Sequence, residues 1–121
     1  MTFWVSDWLR AFAVTLLAEI PVATPLLAGV EKRIARRIAI VVVANLATHP
    51  LVWFLFPGLA AGRGLRLALS EAWAFAAELA IYMLIWPALR LRRAALVSLL
   101  ANGASVAAGL ALARWLAVGS R

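Results

Sequence analysis

The chain of 121 residues is 66% hydrophobic and 14% charged, with a net charge of +7 and no cysteine. A soluble domain of this size cannot bury so much apolar surface, so the composition excludes an ordinary globular protein and predicts an integral membrane protein. Disulfides, thiolate metal sites and cysteine nucleophiles are excluded as well.

Four windows of mostly apolar sequence, each about 20 residues long, are long enough to cross about 30 Å of hydrocarbon as helices. They cover residues 9–30, 37–56, 69–89 and 94–117. Glu19 interrupts the first window where a signal peptide would be uniformly apolar, so we expect this window to stay in the mature protein. The sequence therefore predicts an all-α integral membrane protein, with a single domain of four transmembrane helices over residues 1–121.

The positive charges concentrate in two short connections, residues 31–37 and residues 90–93. Short connections rich in arginine and lysine stay on the cytoplasmic side, so both termini are expected outside, N-out/C-out. Tryptophans near the ends of the windows are expected at the level of the lipid headgroups. These are Trp4, Trp8, Trp53, Trp73, Trp86 and Trp115, and Phe56 is expected there as well.

The charge also bears on partners and location. A net charge of +7 would point to nucleic acid in a soluble protein. Here it serves orientation and contact with anionic headgroups of the lipid bilayer, so no nucleic-acid partner is expected. Eleven arginines against one lysine are typical of a GC-rich bacterial genome. We predict a multi-pass protein of the bacterial inner membrane.

Each predicted helix carries polar side chains near its centre. In chain order these are Glu19, then Asn45 and Thr48, then Glu78, and finally Asn102 and Ser105. The asparagine and the hydroxyl residue stand three positions apart in the second and fourth helices, which places them on one helix face. A carboxylate at the bilayer centre costs roughly 2.5 to 3.5 kcal/mol on insertion scales, so the polar faces are expected to turn inward.

The polar order of the second helix recurs in the fourth. Residues 36–48 align with residues 92–105 with one gap, and the chain's two asparagines, Asn45 and Asn102, occupy the same slot. A duplicated hairpin enters the membrane in the same direction as the first copy, which predicts a pseudo-two-fold axis along the membrane normal. The predicted repeats cover about residues 9–56 and residues 69–117.

The central polar residues have two interpretations. Asparagine, serine and threonine commonly hydrogen-bond between membrane helices, so a structural role fits those residues. The glutamates differ, because glutamine would pack equally well without the cost of ionisation. We interpret Glu19 and Glu78, with the amides and hydroxyls beside them, as a site that binds a proton or a divalent cation. Two carboxylates facing each other in such an interior cannot both ionise cheaply, so one is expected to stay protonated.

Three further residues have counterparts in the other repeat that cannot ionise: His49, Glu71 and Tyr82. We interpret them as an entrance on the outer half of helices two and three that leads to Glu78 and Glu19. His49 also fits a structural role, hydrogen-bonded across helices or placed beside the proline that follows it, or a role as cation ligand or proton relay. Axial ligation of haem or a pigment is less favoured, since the chain has no second histidine.

Two functions remain open from the sequence. No Gly-rich phosphate loop, HExxH or GxSxG motif occurs, so an enzyme is disfavoured and no catalytic residue is assigned. The first function is a proton- or cation-binding carrier or channel. The alternative is a noncatalytic subunit or assembly factor of a larger membrane complex, whose polar core only holds the helices together. Four short helices enclose little volume, so a homo-oligomer or a larger partner is expected in both cases.

Overall fold

The computed structural model describes the backbone of residues 2–119 and the side chains of residues 5–116, so the side chain of Trp4 lies outside the described residues. It contains the helices α1 (Thr2–Leu26), α2 (Ile34–Pro50), α3 (Arg63–Ile85) and α4 (Leu91–Gly119), with a π-helical turn (Leu51–Leu55) and a 3₁₀ turn (Phe56–Gly58) after α2. Four helical segments in this part of the chain are long and apolar enough to cross a membrane. The predicted all-α architecture of four apolar helices is thereby confirmed.

The helices form an antiparallel four-helix bundle in which each helix packs against two neighbours. α1 contacts α2, α2 contacts α3, α3 contacts α4, and α4 returns to lie along α1. The α1–α2 and α3–α4 connections share one end of the bundle, called the basic face because it carries residues 31–37 and 90–93. The start of α1, the end of α4 and the α2–α3 connection lie at the opposite end, called the terminal face.

All four helices begin earlier than the hydropathy windows predict: α1 starts at Thr2, not at residue 9, and α2 starts at Ile34, not at residue 37. α3 starts at Arg63, not at residue 69, and α4 starts at Leu91, not at residue 94. Arginine and glycine lower the mean hydropathy of these first turns, but neither residue stops a helix at its N-terminal end. Gly62 precedes α3 in an extended conformation and serves as its N-cap.

Proline ends the regular part of α2. Pro50 has no backbone N–H, so the carbonyl four residues earlier loses its partner within the helix. The N–H of Leu51 bonds to the carbonyl of Thr48, and the backbone then widens into the π-helical turn. Such turns relieve a local break without ending the helical path, so α2 and its extension reach the terminal face.

The apolar core occupies only the basic half of the bundle. Its enclosed members are Ala23, Leu27, Val41, Ala44, Tyr82, Trp86, Leu89, Ala94, Val97 and Ala101. In every helix these residues lie between the central polar residue and the basic face. Many apolar side chains outside this core point outward, as Leu84 does at 79% exposure and Trp115 at 72%. Lipid is the environment that such an outer surface requires.

Trp86 departs from the expectation that it lies at the headgroups. It is only 6% exposed and packs in the core against Tyr82, with their ring centroids 6.2 Å apart. The end of a hydropathy window gives the position of a residue along the helix, but it does not give the direction of the side chain.

Two arginines hold the end of α1 at the basic face. Arg37 of α2 donates from Nη1 to the carbonyl of Thr24 over 2.5 Å, and Arg93 of α4 donates from Nε to the carbonyl of Leu26 over 2.9 Å. The last carbonyls of a helix have no partner within it and carry partial negative charge, so these guanidinium groups stabilise the helix end.

Candidate functional site

Each hairpin brings one glutamate and one asparagine together. Asn45 Nδ2 donates to Glu19 Oε2 over 2.6 Å, and Asn102 Nδ2 donates to Glu78 Oε2 over 2.7 Å. Both glutamates are 1% exposed. The two bonds are equivalent under the predicted alignment, so each carboxyl group has an amide donor from its own hairpin.

The asparagine amides are held in one orientation by their own helices. Asn45 Nδ2 also donates to the Val41 carbonyl over 3.1 Å, and Asn102 Nδ2 to the Ser98 carbonyl over 2.9 Å. These bonds use both N–H groups of each amide, so the carbonyl oxygen of each asparagine remains as an acceptor.

The hydroxyl residues reach across to the other hairpin. Ser105 lies beside the Glu19 carboxyl group, and Thr48 lies beside that of Glu78. Each hydroxyl donates to a carbonyl of its own helix, over 3.1 Å for Thr48 and 2.9 Å for Ser105. Their oxygen lone pairs can therefore accept from a protonated carboxyl group or coordinate a cation.

These groups line a cavity of about 110 Å³ near the centre of the bundle. Its lining residues are Thr15, Glu19, Asn45, Thr48, His49, Val52, Glu71, Ala74, Glu78, Asn102, Ser105 and Val106. A liquid water molecule takes about 30 Å³, so the space fits a few waters or one partly dehydrated ion. All six residues predicted to bind a proton or cation line this cavity.

The cavity is acidic and lacks a fixed counter-charge. Its lining includes three glutamates and no arginine or lysine. Glu19, Glu71 and Glu78 interact electrostatically, and the Oε1 atom of Glu78 is buried without a hydrogen-bond partner. Within the described residues no group of three His, Asp or Glu side chains is arranged to hold a metal ion. A proton or a small cation is the ligand whose charge suits this space.

His49 lies at the edge of the cavity within a cluster of aromatic rings. It stacks on Trp53 at 6.3 Å and meets Phe12 edge-on at 5.3 Å, and Trp8 lies 6.2 Å away. Its Nε2 is 3.4 Å from Thr15 Oγ1, and its Nδ1 is buried without a hydrogen bond. The rings fix the imidazole, while Nε2 makes one long contact and Nδ1 has no partner.

The structure separates the three predicted entrance residues. Glu71 is half-buried and lines the cavity together with His49, on the side of the terminal face. Tyr82 does not line the cavity. It is fully enclosed in the apolar core, one turn beyond Glu78 toward the basic face, so it does not belong to an entrance. α3 runs from the terminal face inward, which puts Tyr82 deeper than Glu78 and Glu71 shallower.

The apolar part of the cavity lining is not recognisable from the sequence. Val52, Ala74 and Val106 contribute to the cavity wall, and an apolar residue in an apolar helix gives no signal of such a role.

Comparisons with protein-family models, with curated proteins and with solved structures found no match. The fold and the site alone therefore define the class: a bundle of four apolar helices around a buried acidic cavity.

Proposed function

We propose that this protein is a membrane carrier or channel that binds a proton or a small cation between Glu19 and Glu78. The observation that carries the proposal is the pairing of two fully buried carboxyl groups in a cavity whose lining contains no arginine or lysine. In a low-dielectric interior two such groups require a proton or a cation to balance their charge.

The surrounding groups suit both states of the site. The amide donors of Asn45 and Asn102 stabilise carboxylate charge. The hydroxyl oxygens of Thr48 and Ser105 accept from a protonated carboxyl group or coordinate a cation. A site that accommodates either occupant is suited to exchange one for the other.

The proposal includes a duplicated hairpin with an axis along the membrane normal. The matching glutamate–asparagine bonds support the duplication, since 2.6 Å and 2.7 Å contacts join equivalent residues. Charge on the basic face supports an orientation with both termini outside, and the excess of arginine over lysine supports a bacterial inner membrane. A bundle of this size suits a homo-oligomer or a larger membrane complex, with the lipid bilayer as its other partner.

Ion uptake by reconstituted protein tests the function. Purified parent protein and the double variant Glu19→Gln, Glu78→Gln are placed in liposomes that contain a pH-sensitive dye, and uptake is followed under a proton or cation gradient. We expect the double variant to lose uptake while its unfolding temperature stays close to that of the parent. Asp7→Asn is the matched control, because it removes an exposed carboxylate outside the cavity. Equal uptake by parent and double variant would favour the structural alternative, a noncatalytic subunit.

A further inference from the structure

The cavity and the apolar core lie on opposite sides of the two glutamates. Beyond the carboxyl groups, the cavity is lined by Thr15, Val52, Glu71 and Val106, all partly exposed and all toward the terminal face. On the opposite side the enclosed residues are mostly apolar, and the buried hydroxyls of Thr24 and Ser98 donate to backbone carbonyls. The cavity is therefore closed on this side of the glutamates.

The first barrier toward the basic face is apolar. Ala44 and Ala101 each precede the asparagine of their helix and are 0% exposed. Tyr82, one turn beyond Glu78, is also fully enclosed and packs on Trp86. An ion that leaves the carboxyl groups in this direction would have to cross a close-packed layer without water, which is strongly unfavourable.

A second barrier at the basic face joins the two hairpins. The bond from Arg93 of α4 to the Leu26 carbonyl of α1 crosses the seam between the hairpins. The bond from Arg37 to Thr24 stays within the first hairpin, as do both glutamate–asparagine bonds within their own hairpins. Separation of the hairpins at this face therefore breaks the Arg93 bond and leaves the others intact.

The chain leaves space for this contact. A Cβ atom at Gly29, just after α1, would lie 2.8 Å from Arg93 Nη1. No glycine among the described residues has a positive φ, so Gly29 is not required by the backbone conformation. Its lack of a side chain lets the guanidinium group lie against the end of α1.

We infer that the ion site is open to the terminal face alone, and that the basic face is a closed gate in which Arg93 ties α4 to α1. This inference rests on the proposed function. It adds the side from which the ion enters and the residue that holds the other side shut. A carrier that uses the site must separate the hairpins at the basic face. Toward the terminal face the cavity wall includes partly exposed side chains, and the aromatic cluster around His49 lies at its edge.

The absence of native cysteine permits a direct test of access. Single-cysteine variants Val106→Cys, in the cavity wall, and Ala101→Cys, in the apolar core, are prepared in oriented vesicles. A small cationic methanethiosulfonate reagent is added to one face at a time, and labelling is read from the intact protein mass. We expect Val106→Cys to react from the terminal face about tenfold faster than from the basic face. We expect Ala101→Cys to be protected from both faces.

Removal of the gate contact should expose the core position. In the Ala101→Cys background, Arg93→Ala is expected to raise labelling from the basic face about tenfold. Arg92→Ala is the matched control, because it removes the same charge from the same exposed connection. Arg37→Ala tests a cap that lies within one hairpin and should leave Ala101→Cys protected. Arg93→Lys keeps the positive charge but lacks the Nε donor, so it should give intermediate labelling. This graded result would distinguish loss of the gate contact from a folding defect in Arg93→Ala.

Two results would overturn the inference. Labelling of Val106→Cys at equal rates from both faces would show that access is not one-sided. Equal labelling of the Arg93→Ala and Arg92→Ala variants would show that Arg93 does not hold the gate. The same labelling in the Glu19→Gln, Glu78→Gln background separates the two proposals, since access does not depend on ion binding. Absence of ion uptake by the parent protein, with this labelling pattern intact, would remove the proposed function but not the inference that the basic face is closed.

Discussion

Asn102 donates from Nδ2 to Oε2 of Glu78 over 2.7 Å, while Oε1 of the same carboxyl group is buried without a partner. One oxygen is thus fixed by the protein and the other is left for whatever enters the cavity. The amide anchors the carboxyl group without neutralising it, so the charge balance of the site is left to its occupant.

Replacement of this amide should destabilise the protein unless the carboxyl group is replaced too. We expect Asn102→Leu to cost about 1 to 3 kcal/mol, because it leaves a buried acid without its donor. The double variant Glu78→Leu, Asn102→Leu should recover most of this loss, since neither polar partner remains. Reversible unfolding in detergent measures both. Ser70→Ala is the control, because Ser70 is buried but bonds to Leu67 of its own helix. Additive costs of the two leucine substitutions would contradict the coupling.

Infrared spectroscopy should detect a protonated carboxyl group in the purified protein near neutral pH. Glu19 and Glu78 repel each other in a cavity whose lining contains no arginine or lysine, so a shared proton is the simplest counter-charge. The band should disappear in the Glu19→Gln, Glu78→Gln variant, persist in Asp7→Asn, and weaken when a bound cation replaces the proton. A parent spectrum without this band in metal-free detergent would mean that the carboxyl groups are hydrated or otherwise neutralised.

Alanine at position 29 should displace Arg93 from the end of α1. Because the backbone at Gly29 does not require glycine, the expected cost is that of the lost Arg93 hydrogen bond, about 1 kcal/mol. Gly64→Ala, where nothing lies within 4 Å of the added Cβ, should be neutral or stabilising by up to about 1 kcal/mol. In an Arg93→Ala background Gly29→Ala should cost nothing. The full destabilisation by Gly29→Ala in that background would show that the substitution does not act through Arg93. Thermal unfolding in detergent distinguishes these cases.

Glu31, in the connection after α1, should make stability depend on acid pH. The backbone N–H of Arg33, at 3.0 Å, holds the pKa of Glu31 below its ordinary value of 4.5, and the charges of Arg36 and Arg33 lower the pKa further. A carboxyl group whose pKa is depressed in the folded state adds stability above its unfolded pKa. That stability is lost as the pH falls through the folded pKa.

The comparison of parent and Glu31→Gln measures this contribution. The difference in unfolding temperature should be constant from about pH 7 down to about pH 5 and should shrink below pH 4.5. Asp7→Asn, which alters an exposed pair with 3.8 Å separation, should show little of this dependence. If the difference in unfolding temperature between parent and Glu31→Gln grows on acidification, the pKa of Glu31 in the folded protein is raised and not lowered.

The sequence predicts which polar residues turn toward the interior, because polar residues are conspicuous in apolar helices, and the six central ones line one cavity. The spacing of three residues in α2 and α4 predicts that each asparagine shares a helix face with the hydroxyl residue after it. The cost of a carboxylate at the bilayer centre predicts that Glu19 and Glu78 face the same interior. The partner of each glutamate was less predictable. Asn45 was a plausible donor to either carboxyl group, and only packing of the two hairpins decides between them.

Other features depend on contacts that sequence patterns do not contain. From the sequence, Arg37 and Arg93 indicate only the orientation of the chain, because a basic segment does not reveal which carbonyl each side chain contacts. Tyr82 was assigned to the entrance from its alignment with an apolar residue, without regard to the direction of α3. Trp86 was placed at the headgroups from its position in the window, although its side chain turns into the core.

The pairing of each glutamate with an asparagine of its own hairpin also affects biogenesis. A central glutamate costs roughly 2.5 to 3.5 kcal/mol on entering the bilayer, and Asn45 follows Glu19 after a single short connection. The first hairpin can therefore leave the translocon with its acid already hydrogen-bonded, before the second hairpin has been synthesised. Assembly of the cavity then becomes a later docking of two inserted hairpins, and the ribosome need not complete the chain before the first acid is protected.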